Sequence, residues 1–278
     1  CLLQETSVIF WLGPNLLVDD YLLAASHGLR RTTHQPEKLP APVIPSRLAP
    51  WHDQPQWFMR VTYDEQSGQF RAWYNVKNPG AIPACCYAYA ESPDGLQWHY
   101  PELGLVELAG SRQNNLLVAP FGNFGLFMAD DGPATADPAR RYKLAYFEAR
   151  QGGDRNGMSV LFSPDGLSYK PFPGNPVIPH GPDHSTISDI IDGCWDPLRQ
   201  EYLLGCKMEQ PGYPGQPHYH KAGFRRCVGS TSSRDFITWP NPRLIVTPDP
   251  RHGIEEFYGC KPMVRGNLYL GFLRVLRD

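Results

Sequence analysis

A chain of 278 residues with 26 Lys+Arg, 28 Asp+Glu and a net charge of −2 has no basic excess for a phosphate backbone, which argues against nucleic-acid binding. Gly (26) and Pro (29) make up about a fifth of the positions, where about 12% is usual, and Pro at that density breaks helices. No apolar run approaches the ~18 residues needed to span a bilayer, and aromatic residues at 12% oppose disorder.

In chain order, Asn15–Ala24 reads as an apolar lead-in strand and Gln35–Pro50 as a Pro-rich extended connector. From there the chain repeats itself. A hairpin unit, strand then Asp-led turn then alternating aromatic strand, runs over Val61–Tyr74 and returns at Asp137–Phe147, Cys194–Gly205 and Phe257–Phe272. After each of the first three comes a strand, a Ser-x-Asp turn and an aromatic residue. These copies are Ser92-Pro-Asp94-Gly95 with Trp98, Ser163-Pro-Asp165-Gly166 with Tyr169, and a degenerate Ser232…Asp235 with Trp239. The serines lie 71 and 69 residues apart. A repeat of ~70 residues holding about four strands is the size of a propeller blade with long loops.

The predicted fold is therefore an all-β propeller of four-stranded blades, one domain over 1–278. Residues 1–50 lead in, blades occupy approximately 51–120, 121–180 and 181–250, and the next starts at 251–278. The chain begins at Cys1 and ends in a strand pattern, so it is expected to be incomplete, cut inside the fourth hairpin. Seven cysteines without a CxxC pair give no zinc ribbon. Cys194, Cys206 and Cys227 sit in apolar runs, where Cys behaves as a buried hydrophobe.

The motifs Leu16-Leu-Val-Asp-Asp-Tyr21, Arg71-Ala-Trp-Tyr74, Ser92-Pro-Asp-Gly-Leu-Gln-Trp98, Asp137-Pro, Cys194-Trp-Asp-Pro197 and Glu256-Phe-Tyr-Gly259 span nearly the whole chain. As a set they resemble the five-bladed β-propeller glycoside hydrolase superfamily, the fructosidase-like and arabinanase-like families and their uncharacterised bacterial relatives. The resemblance implies a carbohydrate substrate, no cofactor, and a periplasmic or extracellular bacterial location. The Trp-Met-Asn-Asp-Pro and Glu-Cys motifs of true fructosidases are absent.

Glycoside hydrolysis needs two carboxyl groups of different pKa. Asp64, Asp94, Asp137, Asp165, Asp196 and Asp235 read as turn residues that bond their own backbone. The candidates lie instead where the chain enters each blade: Asp189 before Ile190-Ile191, Glu256 before Phe257-Tyr258, and Asp53 in Trp51-His52-Asp53. Asp189 is expected as base or nucleophile beside the polar run Ser185–Ser188, and Glu256 as the acid desolvated by its aromatic neighbours. Substrate contacts are expected from Trp51, Trp57 and Tyr258 as stacking rings and from Asn123, Asp183, His184 and Glu255. Arg225-Arg226 is a basic pair able to neutralise an acidic sugar. The spacing of His180, His184, His218 and His220 matches no ligand signature, so no metal is expected. The alternative function is a carbohydrate-binding propeller without catalysis. Oligomeric state, sugar and linkage are not legible.

Overall fold

The computed structural model describes residues 20, 23, 25–46, 52, 54–77, 85–119, 123–148, 157–181, 186–211, 224–249, 255–266 and 268–277. Most of the lead-in segment Asn15–Ala24 falls outside them. The remainder is all-β. Among the described residues fourteen strands run as β1 (Gln54–Asp64), β2 (Gln69–Lys77), β3 (Cys85–Ser92), β4 (Asn123–Asp130), β5 (Tyr142–Glu148), β6 (Gly157–Ser163), β7 (Lys170–Pro171), β8 (Ile178–Pro179), β9 (Ile191–Asp196), β10 (Glu201–Pro211), β11 (Phe224–Ser233), β12 (Arg243–Val246), β13 (Glu256–Arg265) and β14 (Leu268–Leu276). The only helical element among the described residues is a 3-10 turn at Pro138–Arg140, and none is long and apolar enough to cross a membrane.

The strands form four antiparallel sheets in chain order: β1-β2-β3; β4-β5-β6-β7 with β8 also on β6; β9-β10-β11-β12; and β13-β14. The first strand of each sheet packs beside the first strand of the next, β1 by β4, β4 by β9 and β9 by β13. That serial packing of first strands is a β-propeller. The predicted hairpins are β1-β2, β4-β5, β9-β10 and β13-β14. The outer position of the first sheet is taken by residues 99–118, which meet β3 at two isolated bridges, Glu91 with His99 and Ala88 with Leu116.

Side chains alternate between the faces of a strand, and in the second sheet both faces are covered. Leu126, Met128, Tyr142, Leu144, Tyr146 and Leu161 pack toward the first sheet with Trp73, Tyr87 and Tyr89. Phe127, Ala145, Phe147, Met158, Val160 and Phe162 pack toward the third with Tyr202, Leu204, Cys206 and Met208. Hence β5 and β6 read as nearly unbroken apolar runs. Cys194, Cys206 and Cys227 are buried free thiols, and burial raises the Cys227 pKa to about 12.

The three Ser-x-Asp turns share one construction, with a shift of register in the third. Ser92, Ser163 and Ser233, not Ser232, each donate to the aspartate two residues on and accept the backbone N–H three residues on. Each aspartate accepts the N–H groups two and three residues beyond itself. In the third copy Phe236 holds the position of Gly95 and Gly166, at φ +65°. Geometry moves the match by one residue, because the serine must precede the aspartate by two. Asp64, Asp137 and Asp196 likewise accept backbone N–H groups of their own turns.

Candidate functional site

The approach to β9 sets Asp189. The Ser188 N–H bonds to the Lys207 carbonyl at 3.0 Å and the Lys207 N–H to the Ile190 carbonyl at 2.9 Å, so residues 188–190 continue the pairing with β10. Gly125, at φ +79°, lets β4 lie close to this segment: a Cβ there would meet Ile191 Cβ at 3.0 Å and the Asp189 carbonyl at 3.4 Å. Asp189 Oδ1 pairs with Lys207 Nζ and faces the Ser188 hydroxyl at 3.3 Å.

Lys207 belongs to a buried file of alternating charge. Along β10, Leu204, Cys206 and Met208 face the second sheet, so Lys207 and Glu209 face the other way. Lys207 Nζ lies 3.9 Å from Glu209 Oε1. Glu209 stands opposite Arg226 in the β10-β11 register. Arg226 donates to both oxygens of Glu256, from Nη1 to Oε2 at 2.6 Å and from its backbone N–H to Oε1 at 3.3 Å. Tyr258 lies between the two cations, its ring centroid 5.2 Å from Lys207 Nζ and 5.0 Å from the Arg226 guanidinium carbon. Lys207, Glu209, Arg226 and Glu256 are all buried, whereas the Asp189 side chain is 30% exposed. Asp189 is thus the carboxylate of this file that a solute can reach.

The structure brings together Asp189, Glu256 and Tyr258. Glu255 turns to Arg277 at 2.8 Å, and its carbonyl accepts from Arg225 Nη2 at 2.5 Å. Trp51, Asp53, Asp183 and His184 lie outside the described residues, as do the side chains of Trp57 and Asn123, whose backbones are in β1 and β4. His52, beside Asp53, is buried against Tyr74 at 3.2 Å, and burial lowers its pKa. His180 holds the Ile187 carbonyl through Nδ1 and sets its ring edge-on to Phe147 at 5.4 Å. Among the described residues no three His, Cys, Asp or Glu side chains gather as a metal site.

Lys207 and Glu209 were absent from the sequence candidates. Their signal is visible afterwards: Lys207 interrupts the apolar run Tyr202–Met208 and Glu209 follows at i+2, a pattern that in a buried strand calls for a polar partner on one face. Asp192 was missed as well. It joins β9 to the fourth sheet through Lys261 Nζ and Arg274 Nη2, each at 3.2 Å. Burial raises its pKa, against the lowering effect of Lys261 and Arg274.

No protein-family model matches this chain, and no curated protein matches it by sequence. Solved structures similar to it include the GH32 β-fructofuranosidase of Bombyx mori, at 14% identity and TM-score 0.47, covering 74% of this chain and 38% of that one. A second is the β-fructofuranosidase of Schwanniomyces occidentalis complexed with fructosyl-erythritol, at 15% identity and TM-score 0.49, covering 77% and 39%. A third is the BT0996 RGII complex, at 13% identity and TM-score 0.49, covering 80% and 66%. The chain therefore spans under two fifths of the length of each fructofuranosidase. Its chemistry is read from its own residues.

Proposed function

We propose that this chain carries part of a carbohydrate-processing site in which Asp189 is the reacting carboxylate on a glycosidic bond of an oligo- or polysaccharide. The observation that supports it is the partly exposed Asp189 at the end of a buried ionic file. Each charge taken out of water costs several kcal/mol before pairing repays it. Such a file, ending in one reachable carboxylate, suits the holding of that carboxylate for a ligand better than it suits stability.

In this reading Lys207 and Ser188 orient Asp189, which acts as nucleophile or as base toward water. Tyr258 offers an aromatic face to a sugar ring. Glu256 was expected as the proton donor, but both its oxygens already accept from Arg226, an arrangement suited to fixing Arg226 beside Tyr258. Protonation of the leaving oxygen needs a second carboxyl, and Asp53, outside the described residues, is the remaining sequence candidate for that role.

A second reading is a carbohydrate-binding propeller without catalysis. It is favoured by the pairing of both described candidate carboxylates with cations. The two separate in an assay of the whole protein against a panel of chromogenic glycosides and natural oligosaccharides. The catalytic reading expects turnover that falls by about 10²–10⁴ in Asp189→Asn, the range for losing a positioned acid–base group, in a variant that still folds although the buried Lys207 loses its carboxylate partner. Binding without turnover supports the second reading. Full turnover in Asp189→Asn overturns the first.

A further inference from the structure

The other ends of β4 and β9 carry a separate pocket. Asp189 precedes β9 and Trp195 is its penultimate residue; six residues at ~3.3 Å each put them about 20 Å apart, too far for one sugar unit to touch both. The pocket has a volume of about 730 Å³ and is lined by Arg60, Asp130, Asp131, Trp195, Gln200 and Tyr202. A second pocket of about 390 Å³ between the first two sheets shares Arg60 and Asp130 with it.

Two observations point to a ligand. Trp195 is 40% exposed on the pocket wall, held edge-on to Tyr202 at 4.9 Å between ring centroids. An indole so braced and so exposed is a stacking platform. The second is charge. Every pocket carboxylate already has its cation: Asp130 accepts from Arg141 Nε at 2.7 Å and Nη2 at 3.0 Å, and Asp131 takes Lys143 Nζ and the Tyr202 hydroxyl. Arg60 forms no ion pair among the described residues, and its buried Nε has no hydrogen-bond partner. A planar guanidinium left unmatched beside an aromatic face is suited to a carboxylate carried on a ring.

We propose that this pocket is a second glycan site for a uronic-acid unit, whose ring stacks on Trp195 while its carboxylate pairs with Arg60. Gln200 supplies an amide to the ring hydroxyls. The site is independent of Asp189 and stands whether or not the chain cleaves glycosides.

Calorimetric titration of the whole protein with galacturonate and mannuronate tetramers, and with a neutral hexose tetramer, tests it. At least one uronate is expected to bind at least tenfold more tightly than the neutral sugar, and more weakly as salt is raised from about 50 to about 300 mM. Trp195→Ala should cost at least tenfold, Trp195→Phe only a few-fold, and Arg60→Gln should bring uronate binding down to the neutral level. Absence of uronate binding, equal affinity for the neutral tetramer, or indifference to Trp195→Ala overturns the proposal. Trp195 is exposed, so its variants are expected to melt with the parent and keep the test open if Arg60→Gln folds poorly.

Discussion

Asp94, Asp165 and Asp235 hold their turns by accepting backbone N–H groups as ionised carboxylates, and Asp235 illustrates the balance. Burial pushes its pKa upward, but bonds from the Thr238 and Ile237 N–H groups and the Thr238 and Ser233 hydroxyls outweigh it and hold the pKa at about 2. A depressed folded pKa contributes stability above the unfolded value near 3.9 and loses it as pH falls through the folded value. The turn should therefore loosen between about pH 4 and pH 2. Asp235→Asn should remove that part of the acid dependence and, because the turn is exposed, cost no more than about 1 kcal/mol at pH 7. Chemical denaturation from pH 2 to pH 7 checks both, and an unchanged acid limb in the variant refutes the assignment. One residue on, Phe236 takes a left-handed conformation that costs an L-residue about 1–2 kcal/mol. Its ring packs against Phe127, Phe162, Tyr202 and Trp239, and losing such a ring costs about 3–5 kcal/mol. Packing wins, which is why a phenylalanine stands where the other copies have glycine.

The strands of the third sheet have two faces of different chemistry. Toward the second sheet, β10 presents Tyr202, Leu204, Cys206 and Met208. Toward β13 it presents Gly205, Lys207 and Glu209. Gly205 sets the spacing there: a Cβ would sit 2.3 Å from the Cys260 carbonyl oxygen and 3.3 Å from Pro262 Cδ. The obstacle is backbone, so β13 itself has to move. Gly205→Ala is expected to destabilise by about 1–3 kcal/mol, the range for overpacking, and to displace Glu256 and Tyr258 from Lys207. A melting temperature equal to the parent's refutes the close contact.

Across the molecule the interfaces between sheets change in kind. Aromatic and aliphatic side chains join the first sheet to the second and the second to the third. The third meets the fourth through polar ties: Asp192 with Lys261 and Arg274, Asp196 with the Tyr269 hydroxyl at 2.7 Å, and Arg226 with Glu256. Beyond them β14 exposes Tyr269, Phe272, Leu273 and Val275. Apolar burial contributes about 25 cal/mol per Å², whereas ion pairs return little beyond their desolvation cost. The fourth sheet should therefore open first. Native-state hydrogen exchange is expected to protect β5 and β6 most and β14 least; equal protection across the four sheets refutes this ordering.

The all-β propeller was legible in the sequence because turns and pleats are local. Asp, Pro and Gly at fixed offsets make the hairpins, and period-two aromatic runs make strands that bury both faces. Asp189, Glu256 and Tyr258 stand out in the sequence for a related reason: they depart from a local repeat at the start of successive blades. Lys207, Glu209 and the partnership of Arg226 with Glu256 were not. A charge inside an apolar run announces a buried partner without naming it, and that partner is remote in the chain, 18 residues away for Asp189 with Lys207 and 30 for Arg226 with Glu256. Trp195 and Arg60 are further apart still in the chain, 135 residues, and meet at one pocket only once three sheets are stacked. Tertiary structure alone decided those pairings, because electrostatic and stacking contacts act through space over a few ångströms, while the sequence records only order along the chain.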